Sequence, residues 1–274
     1  MNEAFGRMLF SAVSDGFLPW EVESSFGREF GLTAREVEAE ALEAGIRLQR
    51  YVRNFRTIDG QGQLKLHRSR VVVAGCGGLG GFVVEELARL GVGTLVVVDP
   101  DVFDASNLNR QLFATLADLG VAKVDAAVSR VAAINPATLV EARPVRLGSD
   151  NAASLVEGAD VAADALDSIP ARLVLEDACG HLGLALVHGA IAGHYVQATT
   201  SLPGSGTLRR LFGVGGPERG IETELGNPAF TPAVAASIQA AEIVRILLGR
   251  APALAGILFH LDLERMEAVR LPLD

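Results

Sequence analysis

Residues 71–111 combine a glycine-rich turn with polar and charged side chains that could hold an anion. The turn, GCGGLG at residues 75–80, follows an apolar stretch and opens a helical pattern. Glycines let the backbone turn tightly and approach a phosphate, to which the N-terminus of the following helix offers free N–H groups. Asp99 ends the next apolar stretch, where its carboxylate can accept hydrogen bonds from both ribose hydroxyls of an adenosine. The pattern predicts a nucleotide site.

Charged side chains further along the chain distinguish this site from a nicotinamide site. Arg110 and Lys123 follow Asp99 in the sequence, and Asn107 and Gln111, on either side of Arg110, add amide groups. Asp167 ends a later apolar segment. Two cations and a carboxylate beside a nucleotide suit a triphosphate with magnesium better than a nicotinamide dinucleotide. No histidine stands beside these motifs in the sequence.

Apolar strands that alternate with helices must position these residues. The pattern predicts a parallel sheet covered on both faces, because its strands are apolar almost throughout. In such a sheet, ligands bind outside the carboxyl ends of the strands, so Gly77, Asp99 and Asp167 should converge on one crevice. The predicted strands are 70–75, 94–99, 138–145, 160–165 and 184–190, and the predicted helices are 80–93, 119–134 and 168–182.

The two ends of the chain differ from this alternation. Residues 194–202 and 256–271 alternate more and predict antiparallel strands, with a helix starting at Thr231. Between them, residues 203–228 contain seven glycines and no periodicity, which predicts a long mobile crossover loop. Residues 1–49 have helical patterns, including a capping box at Thr33 and Glu36. We therefore predict an α/β fold, a Rossmann-like parallel sheet continued by antiparallel strands. A small helical appendage (1–49) precedes the main domain (50–274).

Composition narrows the classes of function. The 274 residues carry a formal net charge of −9, which argues against bulk nucleic-acid binding or an anionic membrane surface. We predict no membrane association, because the most apolar helical stretch, 231–249, carries a polar stripe. Only Cys76 and Cys179 are present. Two cysteines give no disulfide framework, and we predict a cytoplasmic location.

At this point the chain resembles the MoeB/ThiF/HesA family, bacterial relatives of ubiquitin-activating enzymes. The resemblance covers about residues 48–272 and rests on RYVRNF (50–55), GCGGLG, GVGTLVVVDPDVFDASNLNRQ (91–111), Lys123, INP (134–136) and DALDS (164–168). It implies a homodimer that binds ATP and magnesium. It also implies adenylation of the C-terminal Gly-Gly carboxylate of a small ubiquitin-like protein, often a sulfur carrier. A carboxylate nucleophile is already ionised near neutral pH, so no general base is needed.

Site residues follow from the resemblance by position. Catalytic roles fall on Arg53, Arg110, Lys123 and Asp167, with Asp167 also linked to magnesium. Arg53 matches an arginine that reaches the neighbouring subunit's phosphates, which makes dimerisation a catalytic requirement. The nucleotide-binding positions are Gly75, Gly77, Gly78, Gly80, Asp99, Asp101, Ser106, Asn107, Leu108, Asn109, Gln111 and Ser168.

The sequence also departs from the family. Many members have two CxxC pairs that bind zinc, and this chain has none, so we predict no zinc. Residues 203–228 contain no cysteine, which disfavours a covalent thioester step in that loop. Asn54 and Ser168 replace the common glutamine and asparagine.

Three alternative functions remain open from the sequence. One is ATP-dependent activation of a non-protein substrate, such as a modified tRNA base. Another is a nicotinamide-linked oxidoreductase, against which Arg110, Lys123 and Asp167 argue. The third is a non-catalytic nucleotide-binding scaffold. The sequence names neither the carrier nor its pathway.

Overall fold

The parallel half of the protein alternates strands and helices as predicted. A computed structural model describes residues 3–213, 217, 218 and 220–273. The strands of this half are β1 (Arg70–Ala74), β2 (Thr94–Val98), β3 (Leu139–Arg143), β4 (Val161–Asp164) and β5 (Ala185–Ala192). Its helices are α5 (Gly78–Leu90), α6 (Lys123–Ile134), α7 (Ala152–Val156) and α8 (Ile169–His181). Helix α6 begins later than predicted, because residues 119 and 122 bridge to the chain at 102–103 instead.

A single eight-stranded sheet runs through both halves in the order β3-β2-β1-β4-β5-β6-β7-β8. In this order, the strands from β3 to β5 pair in parallel. From β5 to β8 the neighbouring strands pair antiparallel, so β5 joins the two halves. The additional strands are β6 (Tyr195–Ser201), β7 (Ile257–Asp262) and β8 (Glu267–Pro272). The predicted fold class is confirmed. The one strand expected over 256–271 is instead the hairpin β7–β8, which turns at Met266 with a φ of 57°.

Both faces of the parallel sheet are covered. Val71 and Val73 of β1 pack with α5 and with α11 (Phe230–Leu247), while Val72 points to the α7 and α8 side. By length and composition α11 could cross a membrane, but it packs against the sheet and buries Gln239 and Glu242. It is therefore a core helix in this fold.

The N-terminal helices form a separate small core. They are α1 (Glu3–Ser11), α2 (Trp20–Phe30) and α3 (Ala34–Glu43), followed by α4 (Gly60–Arg68). The predicted capping box at Thr33 and Glu36 is present. Leu9, Val37 and Leu48 are fully buried in this core, which also includes Tyr51 and Leu64 from beyond residue 49. The helices thus pack onto the main domain through a shared apolar layer.

A seam of charged side chains lies beneath these helices. Glu23 and Glu38 are buried and face Arg50, whose Nε lies 3.2 Å from Glu38 and whose Nη2 lies 3.9 Å from Glu23. Tyr51 donates a hydrogen bond to Glu38 and accepts one from Asn135, at 3.0 and 2.9 Å. Burial, with the nearby Glu38 charge, raises the pKa of Glu23 to about 8. We call Glu23, Glu38, Arg50 and Tyr51 the charged seam.

The crossover segment, residues 203–228, contains regular structure that the sequence did not predict. Its described part includes the short helices α9 (Thr207–Phe212) and α10 (Glu222–Leu225), so the expectation of an irregular loop is wrong there. The α9 N-terminus is capped from α8: the Glu176 carboxylate accepts the backbone N–H of Leu208 at 2.7 Å and of Arg209 at 3.0 Å. A cap from another element leaves no local sequence signal. Residues 214–216 and 219 of this segment lie outside the described residues.

Candidate functional site

A cleft of about 580 Å³ opens at the carboxyl ends of β1, β2 and β4. It brings together residues from three strand–helix connections, as expected for a sheet of this topology. The predicted site residues that line it are Gly75, Gly77, Gly78, Asp99, Asp101, Arg110, Gln111, Lys123, Asp167 and Ser168. Gly80, Ser106, Asn107, Leu108, Asn109 and Arg53 are not in its lining.

The glycine turn holds α5 close to the sheet. Gly75 has a φ of 93°, and a Cβ there would lie 2.5 Å from the Ala165 carbonyl oxygen. A Cβ at Gly80 would lie 1.8 Å from the Gly75 carbonyl oxygen, so only glycine fits. Because α5 begins at Gly78 in the cleft, its first N–H groups and its positive dipole end are directed there. The site can therefore hold an anion at this helix end.

Asp99 lies deep in the cleft and is tied to the glycine turn. Its two carboxylate oxygens accept the backbone N–H of Cys76 at 2.7 Å and of Asp101 at 2.9 Å. Burial raises the pKa of Asp99 from its ordinary value, although nearby Lys123 and these hydrogen bonds favour the charged form. Each oxygen retains a further lone pair for a ligand hydroxyl. Burial also raises the pKa of the Cys76 thiol, which suits a packed side chain and not a nucleophile.

Lys123 begins α6 and is held by Asp101. Its Nζ lies 3.0 Å from Asp101 Oδ2, and its side chain is only 8% exposed while that of Asp101 is 55% exposed. The ammonium group is thus aimed at the cleft by a partner that remains hydrated. This arrangement places a positive charge beside Asp99 without leaving it uncompensated.

The SNLNRQ motif forms a turn that supports Arg110. Asp104 accepts hydrogen bonds from the backbone and hydroxyl of Ser106, at 2.6 and 2.5 Å. The Arg110 guanidinium donates to the Ser106 carbonyl at 3.0 Å and to Asn109 Oδ1 at 2.8 Å. Residues 106 and 109 therefore contact Arg110 from outside the cleft lining. They hold the one cation of the motif in place.

Gln111, the next residue, turns its amide toward the glycine loop. A Cβ at Gly77 would lie 3.6 Å from Gln111 Nε2. The Gln111 Oε1 atom is buried with no hydrogen-bond partner among the described residues. A buried polar atom without a partner is costly, so this oxygen is available to a ligand donor.

Asp167 and Ser168 reach the cleft from the β4–α8 connection. Asp167 is exposed, and Ser168 is the residue before α8. Within the described residues, no three His, Cys, Asp or Glu side chains cluster as a metal site. A single exposed carboxylate fits a magnesium ion whose remaining ligands are phosphate oxygens and water.

Arg53 lies apart from the cleft of its own chain. It is exposed in the turn that follows Tyr51, between the charged seam and α4. Asp167 and Arg110 line the cleft, and Arg53 is not in that lining. Its predicted role requires the site of another subunit.

Other residues at the cleft were not predicted from the sequence. Asp164 and His188 are fully buried and lie 2.6 Å apart, from Asp164 Oδ2 to His188 Nδ1. Asp164 ends β4 and is the first residue of the DALDS segment, in which only Asp167 and Ser168 were given a role. His188 is 24 residues away in the sequence and no role was predicted for it. Asp164 and His188 lie behind the cleft and do not line it; the unpredicted residues that do line it include Arg146, Arg172, Glu218, Glu222 and Asn227.

The fold and the cleft define a class of α/β protein with a predicted nucleotide site. The parallel half of the sheet carries the glycine turn, and the antiparallel half completes the sheet. A model of the ThiF family matches residues 48–273. The chain belongs to the ThiF family.

Curated relatives agree with this family. The SAMP-activating enzyme E1 of Haloferax volcanii is 40% identical over 220 residues, covering 78% of this chain and 81% of the relative. The sulfur carrier protein adenylyltransferase of Thermus thermophilus is 39% identical over 225 residues, covering 78% and 83%. The enzyme class of this chain is that of the adenylyltransferases.

A solved structure supports the fold. The crystal structure of E. coli MccB with MccA-N7isoASN superposes with a TM-score of 0.72 and 19% identity. The match covers 82% of this chain and 72% of MccB. At this identity the likeness supports the fold alone.

Proposed function

We propose that this protein uses ATP and magnesium to adenylate the C-terminal Gly-Gly carboxylate of a small ubiquitin-like carrier protein, releasing pyrophosphate. One observation carries the proposal: a single cleft holds the glycine turn, a buried carboxylate, two aimed cations and an exposed carboxylate. The printed names of the relatives, a SAMP-activating enzyme and a sulfur carrier protein adenylyltransferase, support the substrate class. The carrier's pathway is left open.

The nucleotide is proposed to lie along the strand ends. Asp99 accepts the ribose hydroxyls, and the first N–H groups of α5 at Gly78 receive the phosphates. Gln111 Oε1, buried and without a partner among the described residues, accepts a donor of the bound substrate. The cleft volume of about 580 Å³ is within the range of small-ligand sites.

The chemical step is the approach of an anion to a polyanion. The carrier carboxylate forms a bond to the α-phosphorus, and the bond from that phosphorus to the bridging oxygen breaks, so pyrophosphate leaves with its electron pair. The carboxylate is ionised near neutral pH and needs no base. Arg110 and Lys123 stabilise the charge that builds on the leaving pyrophosphate. Asp167 would hold magnesium, which supplies charge neutralisation between phosphate oxygens when bound.

We further propose that the active protein is a homodimer in which Arg53 acts in the partner's site. Its exposed position away from its own cleft supports this arrangement. Mixing an Arg53→Ala variant with an Asp167→Ala variant tests it, because heterodimers would contain one site with both residues intact. Recovery of activity in the mixture supports action across subunits. No recovery, with subunit exchange verified by mass spectrometry, rejects it.

The decisive experiment is exchange of labelled pyrophosphate into ATP, with and without small proteins that end in Gly-Gly. We expect exchange only with a cognate carrier, and none when its last two glycines are deleted. Arg110→Ala should abolish most exchange, whereas Arg265→Ala, at a side chain 73% exposed in the β7–β8 turn, is the matched control. Tight ATP binding without exchange for any carrier would reject the carrier substrate and leave a non-protein substrate or a scaffold.

We also place the protein in the cytoplasm. Both cysteines are free and buried, which suits a reducing compartment. Fractionation of cells that express a tagged full chain tests this.

A further inference from the structure

The β4–α8 connection that carries Asp167 is held by side chains on both sides. The Leu166 N–H donates to Asp164 Oδ1 at 3.0 Å, and the Leu166 carbonyl accepts Nε and Nη2 of Arg172 at 3.2 and 2.6 Å. The Ile169 N–H donates to the Glu218 carbonyl at 3.0 Å. The backbone on either side of Asp167 is therefore fixed by Asp164, Arg172 and the crossover segment.

Behind this connection, Asp164 is fixed by a buried histidine. His188 and Asp164 are both fully buried and paired at 2.6 Å, and burial lowers the pKa of His188. A neutral His188 with its proton on Nδ1 donates to Asp164. The Nε2 atom of His188 is buried with no hydrogen-bond partner among the described residues, so this ring is held mainly by packing and by Asp164.

One aromatic side chain of the crossover segment, Phe212, contacts both His188 and Arg172. The Phe212 ring meets the His188 ring edge-on, with centroids 5.5 Å apart and an interplanar angle of 80°. The Arg172 guanidinium lies over the face of the same ring, 5.4 Å from its centroid. Such contacts orient a guanidinium without occupying its hydrogen-bond donors. Arg172 can thus be oriented by Phe212 while it donates to Leu166.

Phe212 is itself held in place, because it is the last residue of α9. The Glu176 carboxylate caps the start of this helix, and Arg209 pairs with Asp177 of α8 at 2.6 Å. The helix therefore docks on α8 at both a buried and a surface contact. The docking of α9 on α8 therefore helps to fix the position of Phe212.

We infer that Phe212, Arg172 and His188 are positioning residues that set the orientation of Asp167, and that the docking of α9 thereby controls the nucleotide site. None of the three needs to touch the reacting atoms. This inference rests on the proposed function, since the role of Asp167 is part of it.

Two readouts test the inference on the full-length protein. In Phe212→Leu, the ring is lost but an apolar side chain remains, so the amides of Leu166 and Ile169 should exchange with deuterium about tenfold faster. In pyrophosphate exchange, kcat should fall at least about fivefold and the magnesium concentration for half-maximal rate should rise, while the KM for ATP changes little. Phe212→Tyr keeps the ring and should restore both readouts. Phe30→Leu, an exposed aromatic in α2, is the control.

Each outcome decides between distinct explanations. Arg172→Lys keeps the charge but loses the paired donors to Leu166, and it should behave as Phe212→Leu does. If Arg172 acts on the nucleotide directly, Phe212→Leu leaves deuterium exchange and magnesium dependence unchanged, and the inference is overturned. Deuterium exchange needs no carrier. Absence of carrier-dependent turnover in the unmodified protein would therefore reject the proposed function while the amide readout still judges the inference.

Discussion

Two regions of this protein take charged side chains out of water, and they do so in opposite ways. In the cleft, Lys123 is nearly buried but its partner Asp101 is half exposed, and Asp99 is held by backbone N–H groups. In the charged seam, Glu23 and Glu38 face the single guanidinium of Arg50 in a closed space. The charged groups of the cleft can still interact with a ligand. In the seam, Arg50 pairs with two buried glutamates and can balance the charge of only one of them.

This difference separates stability from activity. An exposed charge in the cleft, such as that of Asp167, can be removed at small cost to the fold, because water already solvates it. A charge in the seam is not solvated in this way, and a buried charge that loses its partner is costly. Substitutions in the two regions should therefore affect different measurements.

The largest effect is expected in the seam. Near neutral pH Glu23, with a pKa of about 8, is mostly protonated, so Arg50→Ala leaves the buried Glu38 carboxylate without its closest cation. The substitution also removes the contact of the guanidinium with the Trp20 ring, 4.4 Å away. The free energy of unfolding should fall by about 3–5 kcal/mol. Urea denaturation measures it, with the exposed Arg28→Ala in α2 as control. A loss like that of the control would show that the seam is not a buried ionic cluster.

The next effect is expected in the cleft and on activity alone. Asp167→Ala should raise the barrier to pyrophosphate exchange by about 2–4 kcal/mol, because an aimed charge is lost in the transition state. The free energy of unfolding should change by less than about 1 kcal/mol, since the side chain is exposed. Glu29→Ala, another exposed carboxylate, controls for net charge. Normal exchange by a folded Asp167→Ala protein would contradict the assignment.

The substitution Lys123→Met tests whether a nearly buried cation of the cleft also acts mainly on activity. The apolar stem is kept and the charge is lost, so exchange should slow by about 2 kcal/mol in barrier height. Asp101→Asn keeps Lys123 charged and should slow exchange less. Kinetics with both variants, beside thermal melts, measure the two effects. Equal losses in the two variants would mean that the pair, and not the ammonium alone, performs the role.

The last effect is a pH dependence of stability from Glu23. Its pKa in the folded protein is about 8, above its ordinary value of 4.5, so the folded state binds the proton more tightly than the unfolded state. Its contribution to stability is full below about pH 4.5 and is lost as the pH rises through about 8. Glu23→Gln removes this titration. Relative to the unmodified protein, the variant should gain stability as the pH rises from 5 to 9, at up to about 1.4 kcal/mol per pH unit between the two pKa values, as measured by urea denaturation. A pH-independent difference would contradict it.

The sequence predicted the parts of the site that depend on local pattern. A strand, a glycine turn and a helix leave a continuous signal, and each carboxylate that ends an apolar strand lies at a defined edge of the sheet. For this reason the convergence of Gly77, Asp99 and Asp167 on one cleft could be predicted. Their individual roles remain predictions.

The rest could not be predicted because it depends on contacts between distant residues. His188 of β5 pairs with Asp164 of the adjacent strand β4, 24 residues earlier in the sequence. Glu176 caps a helix that begins more than thirty residues further along the chain. In the seam, Glu23 and Glu38 have the sequence pattern of exposed polar positions on amphipathic helices. Their burial follows from how the appendage packs against Arg50, Tyr51 and His67 of the main domain.

We expect two positions of the glycine turn to require glycine for different reasons, one for folding and one for ligand binding. Gly80 has no room for a methyl group against the Gly75 carbonyl, so the folded chain itself selects glycine there. At Gly78 a methyl group would meet Pro232 at 3.5 Å, an ordinary contact that the fold tolerates. A library randomised at both positions, sorted first for folding and then for nucleotide retention, would therefore lose diversity at residue 80 in the first round and at residue 78 only in the second.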